Sequence, residues 1–146
     1  MTRIILGFVI VLFAAGCGQQ SAEDVLEGVQ SCNRFQLQLE AFPTTLSLGE
    51  TGIITIRVIN RVEGFDDFIE PNFSLKGVPI NERSQYLSST GFSLPQITPN
   101  SNDATLLDFT VSETAPTGPI TFEIQANSVS NRDIDCSNEI VVVIVE

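Results

Sequence analysis

The sequence has no histidine and no tryptophan, and it has only one lysine and one tyrosine. Histidine is the commonest general base and metal ligand in proteins, so its absence excludes every catalytic triad and zinc motif that requires an imidazole. Basic residues are also scarce: 7 Lys and Arg stand against 18 Asp and Glu, which gives a net charge of −11. Nucleic-acid binding needs a basic surface that neutralises phosphates, so this balance argues against a nucleic-acid partner.

The remaining composition is that of a folded chain. Hydrophobic residues make up 42% of the 146 residues, and charged residues make up only 17%. Disordered chains show the opposite balance, with few apolar residues and many charges. The length suits one domain of ordinary size.

The N-terminus has the pattern of an export signal. Arg3 is followed by an uncharged, mainly apolar run over residues 4–16, which ends at Cys17. One positive charge and about a dozen apolar residues are typical of a secretory signal. The run is shorter than the roughly 20 residues with which a helix crosses a bilayer. We therefore expect an exported protein whose signal peptide is residues 1–16.

The end of this run, Ala14-Ala15-Gly16-Cys17, resembles the lipobox of bacterial lipoproteins, in which small residues precede a cysteine that becomes the lipidated N-terminus. An ordinary signal peptide remains an alternative, because Ala14 and Gly16 also satisfy a small-x-small cleavage site. The resemblance implies that Cys17 carries two or three acyl chains such as palmitate, and stable anchoring requires more than one. Gly18, in place of Asp, implies the outer membrane if the source has two membranes.

Residues 17–31 are predicted to be the lipidated cysteine and a polar tether to the domain at residues 32–146. Ser21-Ala22-Glu23-Asp24 is a helix-capping pattern, which predicts a short helix through Val29. Cleavage before Cys17 removes Arg3 and no acid, so the net charge changes from −11 to −12.

The rest of the chain alternates apolar and polar residues with a period of two, the pattern of half-buried strands. This alternation predicts main strands at residues 34–41, 52–60, 104–112, 119–127 and 137–145. Further candidates are shorter, at residues 45–48, 72–75, 84–87 and 91–94.

Residues 140–145 are apolar at every position and rich in β-branched side chains. Such a run predicts a strand that is covered on both faces or paired centrally in its sheet. The alternative is a strand that is donated to the sheet edge of another protein.

Seven or eight short strands in about 115 residues predict an all-β fold, an antiparallel β-sandwich. Two segments resemble CARDB-like immunoglobulin-like modules of bacterial cell surfaces: LSLGETGIITIRVIN at residues 46–60 and APTGPITFEI at residues 115–124. The resemblance spans most of residues 42–146. It implies an immunoglobulin-like sandwich, and it implies nothing about a ligand.

If Cys17 carries lipid, Cys32 and Cys136 remain, and an exported protein favours a disulfide between them. In an immunoglobulin-like topology the strands at 34–41 and 137–145 begin at the same end of the sandwich, and one cysteine precedes each strand. Two unpaired buried thiols are the alternative. One lipid and one disulfide account for the odd number of cysteines.

The same topology gathers carboxylates at that end, which we call the acidic end. Ca²⁺ takes six to eight oxygen ligands, so a calcium site in these loops is one hypothesis. Acids that are only solvated are the other hypothesis, because the whole chain is acidic and no Asp-x-Asp-x-Asp-Gly run is present. The acids in question are Glu63, Asp66, Asp67, Asp133 and Asp135, with Asp103 in a third loop.

No arrangement of residues that would activate a nucleophile is present, because Ser-Lys and Gly-x-Ser-x-Gly patterns are absent. We therefore expect a non-enzymatic envelope lipoprotein without a cofactor, whose module binds an envelope protein or glycan or serves a structural role. An envelope enzyme or enzyme inhibitor and a Ca²⁺-stabilised adhesion module are the alternatives, and both would use the acidic end.

The predicted strand order also orients the module. A tether that precedes Cys32 would leave from the acidic end, so the acidic end would lie nearer the membrane. The loops at the opposite end would then point away and meet a partner. The opposite end consists of Gly49-Glu50, Lys76-Gly77 and residues 113–119.

Overall fold

A computed structural model of the chain describes residues 26–31, 35–60, 67–98, 104–130 and 135–146, and it describes the side chains of residues 36–59, 67–98, 104–130 and 136–146. These residues form two β-sheets with one short α-helix and one 3₁₀ turn. Within these ranges, no helix is long or apolar enough to span a bilayer.

The first sheet has five strands, all antiparallel to their neighbours, in the order β1-β2-β4-β7-β6. In that order the strands are Leu26–Ser31, Phe35–Phe42, Thr51–Asn60, Ala104–Val111 and Leu87–Phe92.

The second sheet has four strands in the order β3-β9-β8-β5, and only β3 and β9 are parallel. In that order the strands are Thr45–Ser47, Asp135–Val145, Gly118–Ser128 and Ile69–Leu75. The 3₁₀ turn Ile80–Glu82 and the single-turn helix α1, Arg83–Tyr86, connect β5 to β6.

The core lies between the two sheets, and period-two alternation builds it. Leu37 and Leu39 of β2 are fully buried, and so are Phe122 and Ile124 of β8. Phe122 meets Phe109 of the first sheet with ring centroids 4.7 Å apart. The predicted all-β sandwich is confirmed, because strands of both sheets bury one face in this common core.

Gly52 of β4 lies where no side chain fits. A Cβ atom there would be 2.5 Å from Cζ of Phe109 and 2.9 Å from Cδ1 of Leu46. Because this overpacks a filled core, we expect Gly52→Ala to lower the free energy of unfolding by about 1–3 kcal/mol in urea denaturation. Gly91→Ala is the matched control, since a Cβ atom at Gly91 meets nothing within 4 Å. Equal losses in the two variants would contradict this account of the packing.

The five main predicted strands are confirmed within two residues at each end, as β2, β4, β7, β8 and β9. The short candidate at residues 45–48 is β3, and the candidates at 72–75 and 91–94 overlap β5 and β6. Nine strands occur in the part of the chain that the structure describes, rather than seven or eight.

The strand prediction for residues 84–87 is wrong, because Arg83–Tyr86 is helical and β6 starts only at Leu87. The guanidinium of Arg83 lies 4.4 Å from the ring centroid of Phe73 and donates a hydrogen bond to the Phe73 carbonyl at 3.3 Å. Contacts with β5 therefore hold this turn, and the local pattern of residues does not reveal them.

Residues 140–145 lie in β9, between β3 and β8, so the prediction of a centrally paired strand is confirmed. Coverage on both faces is wrong, because a sandwich has two layers and each strand has only one core face. Both neighbours of β9 belong to its own chain, which favours the centrally paired strand over donation to another protein. Even-numbered residues in the run are buried, whereas three valines are each 38% exposed: Val141, Val143 and Val145.

The predicted helix in the tether is wrong for residues 26–29. Residues Leu26–Ser31 form β1, which pairs with β2 from Leu26 opposite Ala41 to Ser31 opposite Gln36. The edge of β2 provides backbone hydrogen-bonding groups that pair with this segment. The capping pattern that precedes the segment carries no information about this pairing. The signal peptide, Cys17 and the rest of the stretch before Leu26 lie outside the described residues.

Candidate functional site

The strand directions assign every described connection to one of two ends. Residues 67–68, 93–98 and 129–130 lie at the acidic end, before β5, after β6 and after β8. The connections at residues 43–50, 76–86 and 112–117 lie at the opposite end. The predicted grouping of loops at the two ends is therefore correct.

At the acidic end, Asp67 joins two loops. Its carboxylate accepts hydrogen bonds from the hydroxyl of Ser128 and from the backbone N–H of Ser130, the latter at 3.0 Å. Ser128 is fully buried, so the carboxylate satisfies a polar group that would otherwise be costly to bury. These bonds fasten the segment before β5 to the end of β8, which is a structural role for Asp67.

The other predicted calcium ligands contribute no described side chain. Within the described ranges, no three His, Cys, Asp or Glu residues are grouped as a metal site. The calcium hypothesis therefore stays a prediction about side chains outside these ranges, namely those of Glu63, Asp66, Asp133, Asp135 and Asp103.

Of the three cysteines, only Cys136 has a described side chain. It is the second residue of β9, is 3% exposed and pairs in register with Ala126 of β8. Cys136 also makes a specific interaction with another residue. Cys17 and Cys32 lie outside the described residues, although Cys32 directly follows β1.

The opposite end holds a cavity of about 220 Å³ between the turn after β5 and the start of β8. Leu75 and Ile120, both buried, and the half-buried ring of Tyr86 supply its apolar lining. Lys76 and Thr121 line it as well, and the Lys76 N–H donates to the Thr121 carbonyl at 2.9 Å. Pockets for drug-sized molecules occupy roughly 300–1,000 Å³, so this smaller one suits a single side chain or a small group.

The turn that shapes this cavity depends on Gly77. Its φ of +75° is in the left-handed region, which glycine adopts without a steric penalty. The N–H of Val78 donates to the carbonyl of Leu75 at 3.0 Å and closes the turn. Lys76 and Gly77 therefore project beyond the end of the sheet and are exposed.

Lys76 is held by Glu139 of β9. Its Nζ atom lies 2.7 and 2.8 Å from the two carboxylate oxygens. This hydrogen bond and the negative charge of Glu139 raise the pKa of Lys76 above its usual value. Lys76 thus lines the cavity while its ammonium group is bound by Glu139.

We expect Glu139→Gln to lower the pKa of Lys76 toward its usual value, in an NMR titration of the lysine Cε signal. The chain has only one lysine, so the signal needs no assignment. Because the pKa is raised in the folded protein, the pair stabilises the fold below the unfolded-state pKa of lysine, and this contribution is lost as the pH rises through the folded-state pKa. Glu123→Gln is the control and should shift the pKa less, because Glu123 contributes less than Glu139. A larger shift in the control would contradict the assignment of the partner.

The sequence placed Lys76-Gly77 and residues 113–119 at one end, and the structure brings Lys76 and Pro119 to the same cavity. Gly49 and Glu50 lie beside the end of β7, through hydrogen bonds of each with Val111. The role of Tyr86 was missed. A lone tyrosine in the sequence does not indicate a binding site, because only the helical turn before β6 brings Tyr86 to the cavity.

The predicted exit of the tether from the acidic end is wrong. β1 runs antiparallel to β2, so Leu26 lies beside Ala41, at the opposite end, and Ser31 lies toward the acidic end. The chain before Leu26 therefore enters the described sandwich at the end that holds the cavity. The reason is the extra strand: β1 reverses the chain once before β2 begins.

The cavity at the opposite end exposes both polar and apolar groups, with more polar than apolar surface. The lining offers aliphatic side chains, one phenol ring and a lysine whose charge is already paired. No protein-family model matches the chain, and no curated protein matches it. The proposals below therefore depend on the residues and their geometry.

Proposed function

We propose that this protein is a non-enzymatic lipoprotein of the cell envelope that carries an immunoglobulin-like binding or structural module. One observation carries the proposal: the first strand begins at Leu26, nine residues after Cys17 of the lipobox-like sequence. An anchored module requires its parts in a fixed order, and this chain has that order: a short apolar run, small residues, a cysteine and then the sandwich.

The strand order supports the immunoglobulin-like part of the proposal. Immunoglobulin constant-type domains place strands A, B, E and D in one sheet and C, F and G in the other. With β2, β4, β5, β6, β7, β8 and β9 lettered A to G, the two sheets have the orders A-B-E-D and G-F-C. β1 is an addition beside strand A, and β3 extends the second sheet beside strand G.

A disulfide between Cys32 and Cys136 belongs to the same proposal. Cys136 is buried near the start of β9, and Cys32 lies in the three-residue link between β1 and β2. The starts of β2 and β9 lie together, because Nδ2 of Asn138 donates to the carbonyl of Leu37 at 3.3 Å. The exported location would keep such a bond oxidised.

The direction of β1 indicates how an anchored module would face its membrane. The eight residues between Cys17 and Leu26 span at most about 26–29 Å when fully extended. The end that holds the cavity would therefore face the membrane surface, and the acidic end would face away. We propose that the cavity accepts a single side chain of an envelope protein close to that membrane, which would meet both polar and apolar groups there.

The test of the anchor is metabolic labelling with an alkyne fatty acid in a bacterium that processes lipoproteins. We expect the wild-type chain and the Cys32→Ser variant to take up the label, and the Cys17→Ser variant to take up none. Labelling that survives Cys17→Ser would overturn the anchor. The binding role is tested in the same cells with a photo-crosslinking residue at Thr121, which should capture an envelope protein that a residue at Phe68, exposed at the acidic end, does not capture.

A further inference from the structure

Among the described residues, the two sheets end in four edge strands: β1, β6, β3 and β5. An edge strand presents unpaired N–H and C=O groups, which proteins protect with short strands, prolines or charges. β3 has only three residues, and β1 contains Glu27. β5 contains Glu70 and Pro71, and Ile69 exchanges two backbone hydrogen bonds with Ile97 at 3.0 and 2.8 Å.

β6 is less protected than the other three, since its one irregularity, a register shift between Leu87 and Ser89, comes before Thr90 and Phe92. Its six residues, LSSTGF, contain no charge and no proline, and residues 88–91 are exposed. Among the residues that the structure describes, β7 is the only strand beside it.

The register with β7 shows which backbone groups of β6 face outward. The N–H of Ser93 donates to the carbonyl of Leu106 at 2.8 Å, so this residue pair is a hydrogen-bonded one. Hydrogen-bonded pairs alternate along an antiparallel ladder, so Gly91 and Ser89 also bond to β7. The N–H and C=O groups of Thr90 and Phe92 therefore point to the open side.

The inner face of this edge carries Thr90, which is exposed, and the apolar ring of Phe92. Thr90 and Phe92 lie opposite Phe109 and Leu107, which are buried in the core, so all four residues share the inner face. Phe92 is half-buried and meets Phe73 edge to face, with ring centroids 6.0 Å apart. Apolar side chains of an added strand would extend this contact.

The outer face of the edge favours a cation. Gly91 has no side chain, and it lies directly opposite the exposed Asp108. Strands are about 4.8 Å apart, so a lysine or arginine on an added strand opposite Gly91 could reach over this bare backbone to the Asp108 carboxylate. The net charge of −11 also favours a basic partner over an acidic one.

We propose that β6 binds an extended segment of a partner protein as an additional antiparallel strand, with apolar residues facing inward and basic residues facing outward. Backbone hydrogen bonds to Thr90 and Phe92 supply the binding, and the basic residue over Gly91 supplies the selectivity. This surface lies on the side of the sandwich, apart from the cavity, and its test does not depend on the lipid anchor.

The test uses the mature chain and two synthetic peptides, acetyl-TVKVKVT-amide and acetyl-TVEVEVT-amide. We expect the lysine peptide to bind saturably and at least about tenfold more tightly than the glutamate peptide. Amide hydrogen exchange gives the site: the N–H groups of Thr90 and Phe92 exchange fast in the free protein and become protected by the lysine peptide. Ser89 and Gly91 should be protected already without it.

Two variants test the backbone hydrogen bonding and the charge selectivity separately. Thr90→Pro removes an outward N–H without removing a bond to β7, and should weaken the lysine peptide about tenfold. Asp108→Asn should reduce the preference for lysine over glutamate. Its matched control is Glu40→Gln, the same change of charge in β2, two strands away from β7 in the same sheet.

Several results would overturn the proposal. The proposal fails if the lysine peptide does not bind saturably, or if the protected amides lie outside β6. It also fails if Glu40→Gln and Asp108→Asn change the preference for lysine over glutamate equally. Concentration-dependent protection of Thr90 and Phe92 without peptide would also overturn it, because the occupant would then be a second copy of this chain. If Thr90→Pro fails to fold, the exchange pattern and Asp108→Asn still decide the question.

Discussion

Replacing Phe122 by alanine is expected to lower the free energy of unfolding by about 3–5 kcal/mol, since deleting a buried phenylalanine ring removes its transfer energy and leaves a cavity. Phe122 is fully buried in β8. Its ring centroid lies 4.7 Å from that of Phe109 and 6.2 Å from that of Phe73. The contact with Phe109 joins the two sheets, so the loss falls on the packing between the layers. Urea denaturation monitored by far-UV circular dichroism measures it.

Phe68 provides the control for this prediction, because its side chain is 49% exposed just before β5. Phe68→Ala should change the free energy of unfolding by no more than about 0.5 kcal/mol. Phe122→Leu should fall between the two, since leucine refills part of the volume. A loss in Phe68→Ala as large as that in Phe122→Ala would show that burial between the sheets is not what determines the cost.

Reduction of the proposed Cys32–Cys136 disulfide is expected to lower the free energy of unfolding by about 4–5 kcal/mol. The bond would enclose 103 residues, and the chain-entropy model assigns a closed loop of that length this stabilisation. The measurement compares urea denaturation of the mature protein with and without a reductant. Cys32→Ser should match the reduced protein, and the reductant should then have no further effect.

Cys17→Ser is the control for the disulfide, because it leaves Cys32 and Cys136 unchanged. Its stability should equal that of the wild type and should fall on reduction by the same amount. Two free thiols in non-reducing mass spectrometry of the wild-type protein would refute the pairing. That result would leave the sandwich itself unaffected, since its strands and core are described independently of the bond.

Strands that bury one face could be predicted closely from the residues alone. In β8, Ile120, Phe122 and Ile124 are buried and the residues between them are not, which is the alternation that the sequence displays. β1 and the helical turn at Arg83–Tyr86 could not be predicted, because contacts with β2 and with Phe73 determine them. These contacts join elements whose pairing no local pattern specifies.

The site was predicted only in part for a similar reason. The grouping of Lys76 with residues 113–119 followed from the expected strand order. The cavity did not, since it requires Tyr86 to reach the start of β8 through the helical turn. The partner of Lys76 was also unpredictable, because Glu139 lies 63 residues further along the chain.

The sequence by itself determined the composition of this protein, the absence of imidazole chemistry and the period-two strands that make it an all-β sandwich. These properties are local, since they depend on residue types and on the alternation of neighbouring residues. Only the tertiary structure decided that the chain before Leu26 enters at the end with the cavity, and that β6 is the least protected edge among the described strands. Both depend on which strands pair, and backbone hydrogen bonds between distant segments set that pairing.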